Sequence, residues 1–165
     1  MLQLLAVIRI RGRTGIREPI EDTLRKLRLT RINHMVFVPE SKEFKGMLQL
    51  AKDYITWGEV SKETLILALK HRALLRGRKK IQEDGMKEAV GYSSFDEVAD
   101  FLMSGKTLTS IENLVPVLRL NPPKGGYEFI RKSYKEGGTA GYRGEEINVL
   151  IKKMLKEGID LNGKN

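Results

Sequence analysis

Residues 7–39, VIRIRGRTGIREPIEDTLRKLRLTRINHMVFVP, read as strand, glycine loop, helix and strand, and that reading decides the fold. Over Leu4 to Arg11, the side chains of Leu4, Ala6, Ile8 and Ile10 alternate with those of Leu5, Val7, Arg9 and Arg11. A period of two puts the two sets on opposite faces of a strand. One face is apolar throughout. The other is apolar and then basic, so the strand is expected to be central at its start and exposed at its end. Gly12 and Gly15 in GRTG break the pattern. No Gly-Lys-Ser/Thr follows them, which excludes a Walker phosphate loop. Pro19 suits the first turn of a helix, where its missing N–H leaves no bond unmade. Glu18, Glu21 and Asp22 sit at the same end, favoured by the helix dipole. Ile20, Leu24 and Leu27 then form one apolar stripe, and Arg25, Lys26 and Arg28 gather at the far end. Met35 to Val38, MVFV, is a short apolar strand stopped by Pro39.

Outward from this unit, Ser41 is placed to cap a helix with Phe44, Met47, Leu48 and Ala51 inward. Tyr54 to Val60, YITWGEV, reads as a third strand. Residues 1–60 therefore read β-α-β-α-β, a compact sheet with helices on one face. Residues 61–165 read as a helical, basic-loop extension packed on that core. Ser61 opens a helix to about Leu75, with Leu65, Ile66, Leu69 and Ala73 inward. RGRKK, residues 76–80, holds Gly77 and reads as a basic loop. Asp84 to Val90 suggests a short helix ended by Gly91. SFDE, residues 94–97, is a capping box before the apolar face of Phe95, Val98, Ala99 and Leu102, and Gly105 ends that helix. VLRL, residues 117–120, is a further short strand. The proline- and glycine-rich stretch 121–144 is expected to be an ordered loop, because Tyr127, Phe129, Ile130, Tyr134 and Tyr142 give it side chains to bury. Ile147, Leu150, Ile151 and Met154 define a closing helix that ends near Gly158, and LNGKN reads as a frayed tail.

The chain has 165 residues, a formal net charge of +9 and a pI near 9.8, so a polyanion is the first partner to consider. Cysteine is absent, which excludes disulfides, thiolate metal sites and cysteine nucleophiles. In MLQLLAVIRIRGR the basic residues follow the apolar run, the reverse of a signal peptide, and the run is far short of a membrane span. The expectation is a strand in a cytoplasmic protein. The only histidines are His34 and His71, neither in a catalytic or metal-binding signature. Acid pairs such as Glu21–Asp22 and Glu145–Glu146 fall at helix starts, where the dipole explains them. No catalytic residue, metal, cofactor or small-molecule substrate is expected.

Arginine and lysine come in three clusters. The first runs from Arg9 to Arg31 and holds eight bases against three acids. The second, Lys70 to Lys80, holds six bases and no acid, and the third spans Lys124 to Arg143. Such side chains neutralise phosphates and release counterions, and arginine can also fork onto phosphate or stack on an unpaired base. Separated clusters suit a large folded RNA. There is no RNP1-like aromatic strand and no KH-type GXXG between helices, which disfavours the common single-strand readers. Tyr127 and Tyr142 are assigned to the core, and Trp57 to the core or a sheet edge. The net-acidic stretch Asp96 to Asp100 is expected to face away from RNA or towards a protein.

Three segments, LAVIRIRGRTGIREPIEDTLRKLRLTRINHMVFVP, KGMLQLAKDYITWGEV and LNPPKGGYEFIRKSYKEGGTAGYRGEEINVLIKKML, together resemble the archaeal form of large-ribosomal-subunit protein thirty, whose eukaryotic counterpart is called protein seven. The resemblance covers nearly the whole chain. RIRG, LRL-x-x-x-N, the WGE strand end and the PP-x-GG to GYRG block occur in it together. Bacterial members are similar to residues 1–60 alone, and eukaryotic ones add a basic N-terminal arm. A chain that starts at the first strand and carries the C-terminal extension is the archaeal pattern. The resemblance implies an α+β, ferredoxin-like β-α-β-α-β core with an antiparallel sheet. It implies a structural, non-catalytic protein on ribosomal RNA (23S, touching or near 5S) among neighbouring large-subunit proteins in the cytoplasm, without a cofactor. Carried onto this sequence, the RNA-facing positions are Arg11, Arg13, Thr14 and Arg17 in the loop, then Arg25, Arg28, Arg31, Asn33 and His34. Lys124, Gly125, Gly126 and Arg143 follow in the C-terminal block. Arg76, Arg78, Lys79 and Lys80 rest on charge. The alternative is an RNA chaperone or RNA-binding module outside the ribosome, which would keep the basic faces but not stay with the subunit.

Overall fold

A computed structural model of the chain describes residues 3–155. The strand β1 (Leu4–Arg9) is followed by α1 (Glu18–Lys26), β2 (His34–Pro39), α2 (Lys42–Leu50) and β3 (Ile55–Glu59). Then come α3 (Lys62–Arg72), the short strands β4 (Leu74–Leu75) and β5 (Lys79–Lys80), α4 (Met86–Val90) and α5 (Phe95–Met103). The edge strands β6 (Leu118–Arg119) and β7 (Gly141–Tyr142) precede α6 (Ile147–Leu155). The main sheet has the order β6-β2-β1-β3-β7. β1 lies antiparallel to both β2 and β3, β6 is antiparallel to β2, and β7 is parallel to β3. This is the expected α+β architecture, a ferredoxin-like β-α-β-α-β core with a mostly antiparallel sheet.

The two-fold alternation in β1 feeds two cores. Leu4, Ala6, Ile8 and Ile10 join Met35 and Phe37 on the face covered by α3, α5 and α6. Leu5 and Val7 join Val36, Val38 and Ile55 on the face covered by Leu24 and Leu27 of α1 and Leu48 of α2. Each buried Leu or Ile contributes roughly 1.5–3 kcal/mol, so a one-residue slip of β1 would exchange both faces and is strongly opposed. The helix starts follow the sequence. Pro19 lies in the first turn of α1, and the Ser41, Ser61 and Ser94 hydroxyls accept from the backbone N–H of Phe44, Thr64 and Glu97.

Several expectations are corrected. Arg9, expected on the exposed end of the strand, is 2% exposed; the loops on either side of α1 close over it. The first extension helix stops at Arg72 rather than Leu75, because the chain turns into β4. RGRKK is accordingly not an open loop but the turn and second strand of a β4–β5 hairpin, pairing Leu74 with Lys80 and Leu75 with Lys79. The capping box is displaced: the Glu97 carboxylate reaches back to the backbone N–H of Ser93 at 2.9 Å and its hydroxyl at 2.8 Å, not to Ser94. In the 121–144 stretch, Phe129 is 69% exposed, Tyr142 46% and Tyr134 37%. Backbone hydrogen bonds, rather than burial of these three rings, order that segment. The helix end near Gly158 and the LNGKN tail lie outside the described residues.

The extension is locked to the sheet where β3 passes the turn before α6. A Cβ built on Gly58 would stand 1.9 Å from the Gly144 carbonyl oxygen, and neither backbone has freedom to withdraw. Gly58→Ala is therefore expected to cost about 1–3 kcal/mol or more, read as a lower urea midpoint; an unchanged midpoint would mean that this contact is not tight.

Candidate nucleic-acid interface

Strand directions decide where the charged loops go. β1 runs antiparallel to β2 and β3, β6 antiparallel to β2, and β7 parallel to β3. The segments after β1, before β2, before β3, after β6 and before β7 must therefore lie at one end of the sheet. Most of the first cluster, and the third as far as Lys135, fall in these segments; Lys26 and Arg28 instead border Val36–Val38 of β2, and Arg143 follows β7 with its guanidinium reaching back to Thr56 and Thr139. The second reaches the same end through α3, whose Arg72 donates from Nη2 to the Leu155 carbonyl at the end of α6. A cleft of about 390 Å³ joins His71, Arg72 and Lys80 to Arg119 of β6. The opposite end carries Glu40, Glu59, Glu63, Glu145 and Glu146. Two of its lysines are paired, Lys45 with Glu40 at 2.7 Å and Lys62 with Asp100 at 2.7 Å. The segments at the basic end also hold Glu18, Glu21, Asp22, Asp53, Glu128 and Glu136, but bases outnumber them there, so the cationic excess lies at that end of the strands.

Within the basic end, the side chains divide into those that build and those left free. Arg9 donates from Nε to the Arg11 carbonyl and from Nη1 to the Leu29 carbonyl, both at 2.8 Å. Its own carbonyl accepts from the Asn33 N–H at 2.8 Å. Burial pulls its pKa below the usual arginine range, yet two charge-assisted bonds to carbonyls hold the cation. Asn33 sits at φ +68, a conformation asparagine tolerates better than most. Its carbonyl accepts from the Leu120 N–H, and its side-chain oxygen accepts from the Tyr127 hydroxyl at 2.6 Å. Asn33 thus ties the PPKGG block to the loop before β2. Arg143 is likewise spent internally: Nε donates to Thr56 Oγ1 at 2.8 Å, Nη2 to the Thr139 carbonyl at 2.9 Å, and its guanidinium lies 4.8 Å from the Tyr134 ring centre.

Apart from His34, which is half-buried at the start of β2, the remaining predicted positions lie at the surface. Arg13, Thr14, Arg17, Arg25, Arg28, Arg31, Arg76, Arg78, Lys79, Lys80, Lys124, Gly125 and Gly126 are exposed, and Arg11 is half-buried. Arg11 lies 4.6 Å from the Tyr54 ring centre, and Arg13 Nε reaches the Thr30 carbonyl at 3.3 Å. These contacts orient the guanidinium groups without burying them. Arg25 pairs with Asp22 at 3.5 Å, a surface contact worth under about 1 kcal/mol. Gly125 and Gly126 both have positive φ, and a Cβ on either would meet no atom, so the backbone there is open to a large surface.

Arg28 stands at φ +66 just past α1. Its N–H bonds to the Arg25 carbonyl and the next N–H, of Leu29, to the Leu24 carbonyl. This is a Schellman ending, whose left-handed position favours glycine. Sequence reasoning passed over Arg119, which is exposed and pairs with His34 across the sheet; its alternation with buried Leu118 and Leu120 was the available signal.

Comparison with known proteins follows the same lines. Residues 5–55 match the family described as ribosomal protein L30p/L7e. The chain is similar to "Large ribosomal subunit protein uL30" of Thermoplasma acidophilum, 57% identical over 162 residues that cover 98% of each chain. The protein of that name from Methanosphaera stadtmanae is 49% identical over 152 residues, 92% of this chain and all of the relative. That from Nanoarchaeum equitans is 44% identical over 156 residues, 93% of this chain and all of the relative.

The two histidines at this end make a pH prediction. Burial holds His34 below its usual range, helped by Arg119, Arg31 and Arg9. Burial also lowers His71, helped by Lys70 and Arg72. His34 Nδ1 and His71 Nε2 are both buried and have no hydrogen-bond partner among the described residues. The folded protein therefore binds fewer protons than the unfolded chain once pH falls through about 6.5. The stability is complete above that value and is lost on acidification towards the lowered folded pKa. Melting midpoints should fall between about pH 7.5 and about pH 5.5, and His34→Gln should make the fall smaller. An equal fall in wild type and variant would remove His34 as a contributor.

Proposed function

This chain belongs to the ribosomal protein L30p/L7e family, and on that premise we propose that its basic end seats it on folded ribosomal RNA. It is a structural constituent of the large ribosomal subunit, working in translation in the cytoplasm. A constituent of this kind contributes binding and shape rather than catalysis. The observation that carries the RNA reading is the convergence of most of the three basic clusters at one end of the sheet, where bases outnumber carboxylates. Counterion release at such a surface supplies affinity for any folded RNA, and fixed arginines select its geometry.

Within this reading the RNA is 23S, with 5S close by. Arg11, Arg13, Thr14, Arg17, Arg25, Arg28, Arg31 and His34 form the first contact area. Arg76, Arg78, Lys79 and Lys80 on the hairpin form the second, and Lys124, Gly125 and Gly126 the third. Asn33 and Arg143 act as positioning residues, because their polar atoms hold the loops that carry the contacts. Residues 1–60 serve as the RNA-binding core and 61–165 as an extension that widens the footprint. Asp96, Glu97 and Asp100, all exposed on α5, face neighbouring large-subunit proteins.

Density-gradient separation of native extract tests the whole reading. The chain should run stoichiometrically with the large subunit and survive moderate salt. A chain found only in soluble fractions at low salt would favour the extra-ribosomal chaperone instead. Arg11→Ala and Arg13→Ala should each weaken RNA binding and lower the log–log salt slope by about 0.9 or less, as loss of one phosphate contact requires. An unchanged slope and affinity would turn this loop away from RNA. Arg28→Gly separates stability from binding. Relief of the left-handed backbone should raise folding stability by about 1 kcal/mol or less, while RNA affinity falls. A destabilised variant would mean that the arginine side chain supports the fold.

A further inference from the structure

Phe129 is the most exposed of the large hydrophobic side chains described, at 69%. Isolated exposed hydrophobic residues are common and need no explanation. This one has three further properties. Its backbone lies at φ +24, a region that bulky side chains rarely occupy and that persists only when the surroundings impose it. The surroundings do impose it. The Lys132 N–H donates to the Phe129 carbonyl at 3.0 Å, and the N–H groups of Thr139 and Ala140 both donate to the Lys132 carbonyl at 3.1 Å. The Tyr134 N–H donates to the Ala140 carbonyl at 2.7 Å, and the Thr139 hydroxyl donates to the Glu128 carbonyl. The ring is therefore held in water by an ordered loop.

The second property is charge. Lys132 Nζ lies 5.2 Å from the Phe129 ring centre, and Arg131, Lys132 and Lys135 are all exposed in the same loop. The third is position. The loop leads into β7, whose parallel pairing with β3 puts it at the basic end of the sheet. An aromatic ring with one lysine ammonium beside it, in a loop whose exposed bases Arg131, Lys132 and Lys135 outnumber the exposed Glu128 and Glu136, matches an unpaired nucleotide: the base stacks on the ring and the flanking phosphates meet the ammonium and guanidinium groups.

We propose that Phe129, flanked by Arg131 and Lys132, is a stacking platform for an unpaired nucleotide of the bound RNA. This rests on the ribosomal RNA reading above and adds to it a contact that reads a flipped or looped-out base rather than phosphate.

The test uses the full-length protein and deproteinised large-subunit ribosomal RNA. Because the chain has one tryptophan, the double variant Trp57→Phe, Phe129→Trp reports from position 129 alone, and its fluorescence should be strongly quenched when RNA binds. Phe129→Ala should weaken binding about 5- to 150-fold. It should leave the log–log salt slope unchanged, because no phosphate contact is lost. Phe129→Leu, which keeps apolar area without a π face, should lose nearly as much. Wild-type affinity in Phe129→Ala, full rescue by Phe129→Leu, or an unquenched tryptophan on bound protein would each overturn the platform. So would a defect seen only with assembly intermediates that carry other proteins, which would assign Phe129 to a protein contact. If the wild type itself fails to bind this RNA, the RNA reading falls as a whole. That outcome is distinct from wild-type binding with the Phe129 variants unaffected.

Discussion

A single buried guanidinium organises the basic end of this protein. Arg9 leaves the central strand on the face that carries Leu5 and Val7, and bonds the carbonyls of Arg11 and Leu29. Those carbonyls belong to the two loops that display the exposed arginines. An arginine can do this where a lysine cannot, because its planar fork reaches two acceptors in fixed directions and remains charged under desolvation. Nη2 of the same group is buried and makes no hydrogen bond to the described residues.

From that point the charge polarity follows from topology. α2, α3 and α6 all begin at the acidic end and finish at the basic one, so carboxylates meet the positive dipole ends of α2 and α3 and cations the negative ends of α3 and α6. Glu43 and Glu63 sit in first turns, and Lys70, Arg72, Lys152 and Lys153 in last turns. The same arrangement that stabilises the helices concentrates arginine and lysine on one surface. Helix electrostatics and a polyanion-binding surface therefore call for the same sequence, which is why charge at a helix end could not by itself distinguish them.

The extension does more than add basic residues. β6 and β7 each pair two residues of an edge of the three-stranded core sheet, which shortens the exposed hydrogen-bonding rims that favour misassociation. α3, α5 and α6 bury the face that α1 and α2 leave open. Asn33 and Arg143 then couple the C-terminal block to the core. Both were legible as interesting residues, but their polar atoms hold protein to protein.

The elements of the first sixty residues, the two faces of β1 and the helix caps are legible in short stretches of sequence, because period-two and helical patterns, proline and serine act locally. The exposed loop bases were legible for the same reason: bases outnumber acids in each basic cluster, as between Arg9 and Arg31 with eight against three. Only tertiary structure decided the fate of Arg9, Asn33, Arg143 and Phe129. Arg9 continues a pattern that ends in a second arginine, and nothing local says that α1's flanking loops close over it. Phe129 is apolar and was assigned to the interior, yet a hydrogen-bonded loop holds it in water at positive φ. The convergence of three distant basic clusters likewise depended on strand direction and long-range pairing, which no local stretch of chain encodes.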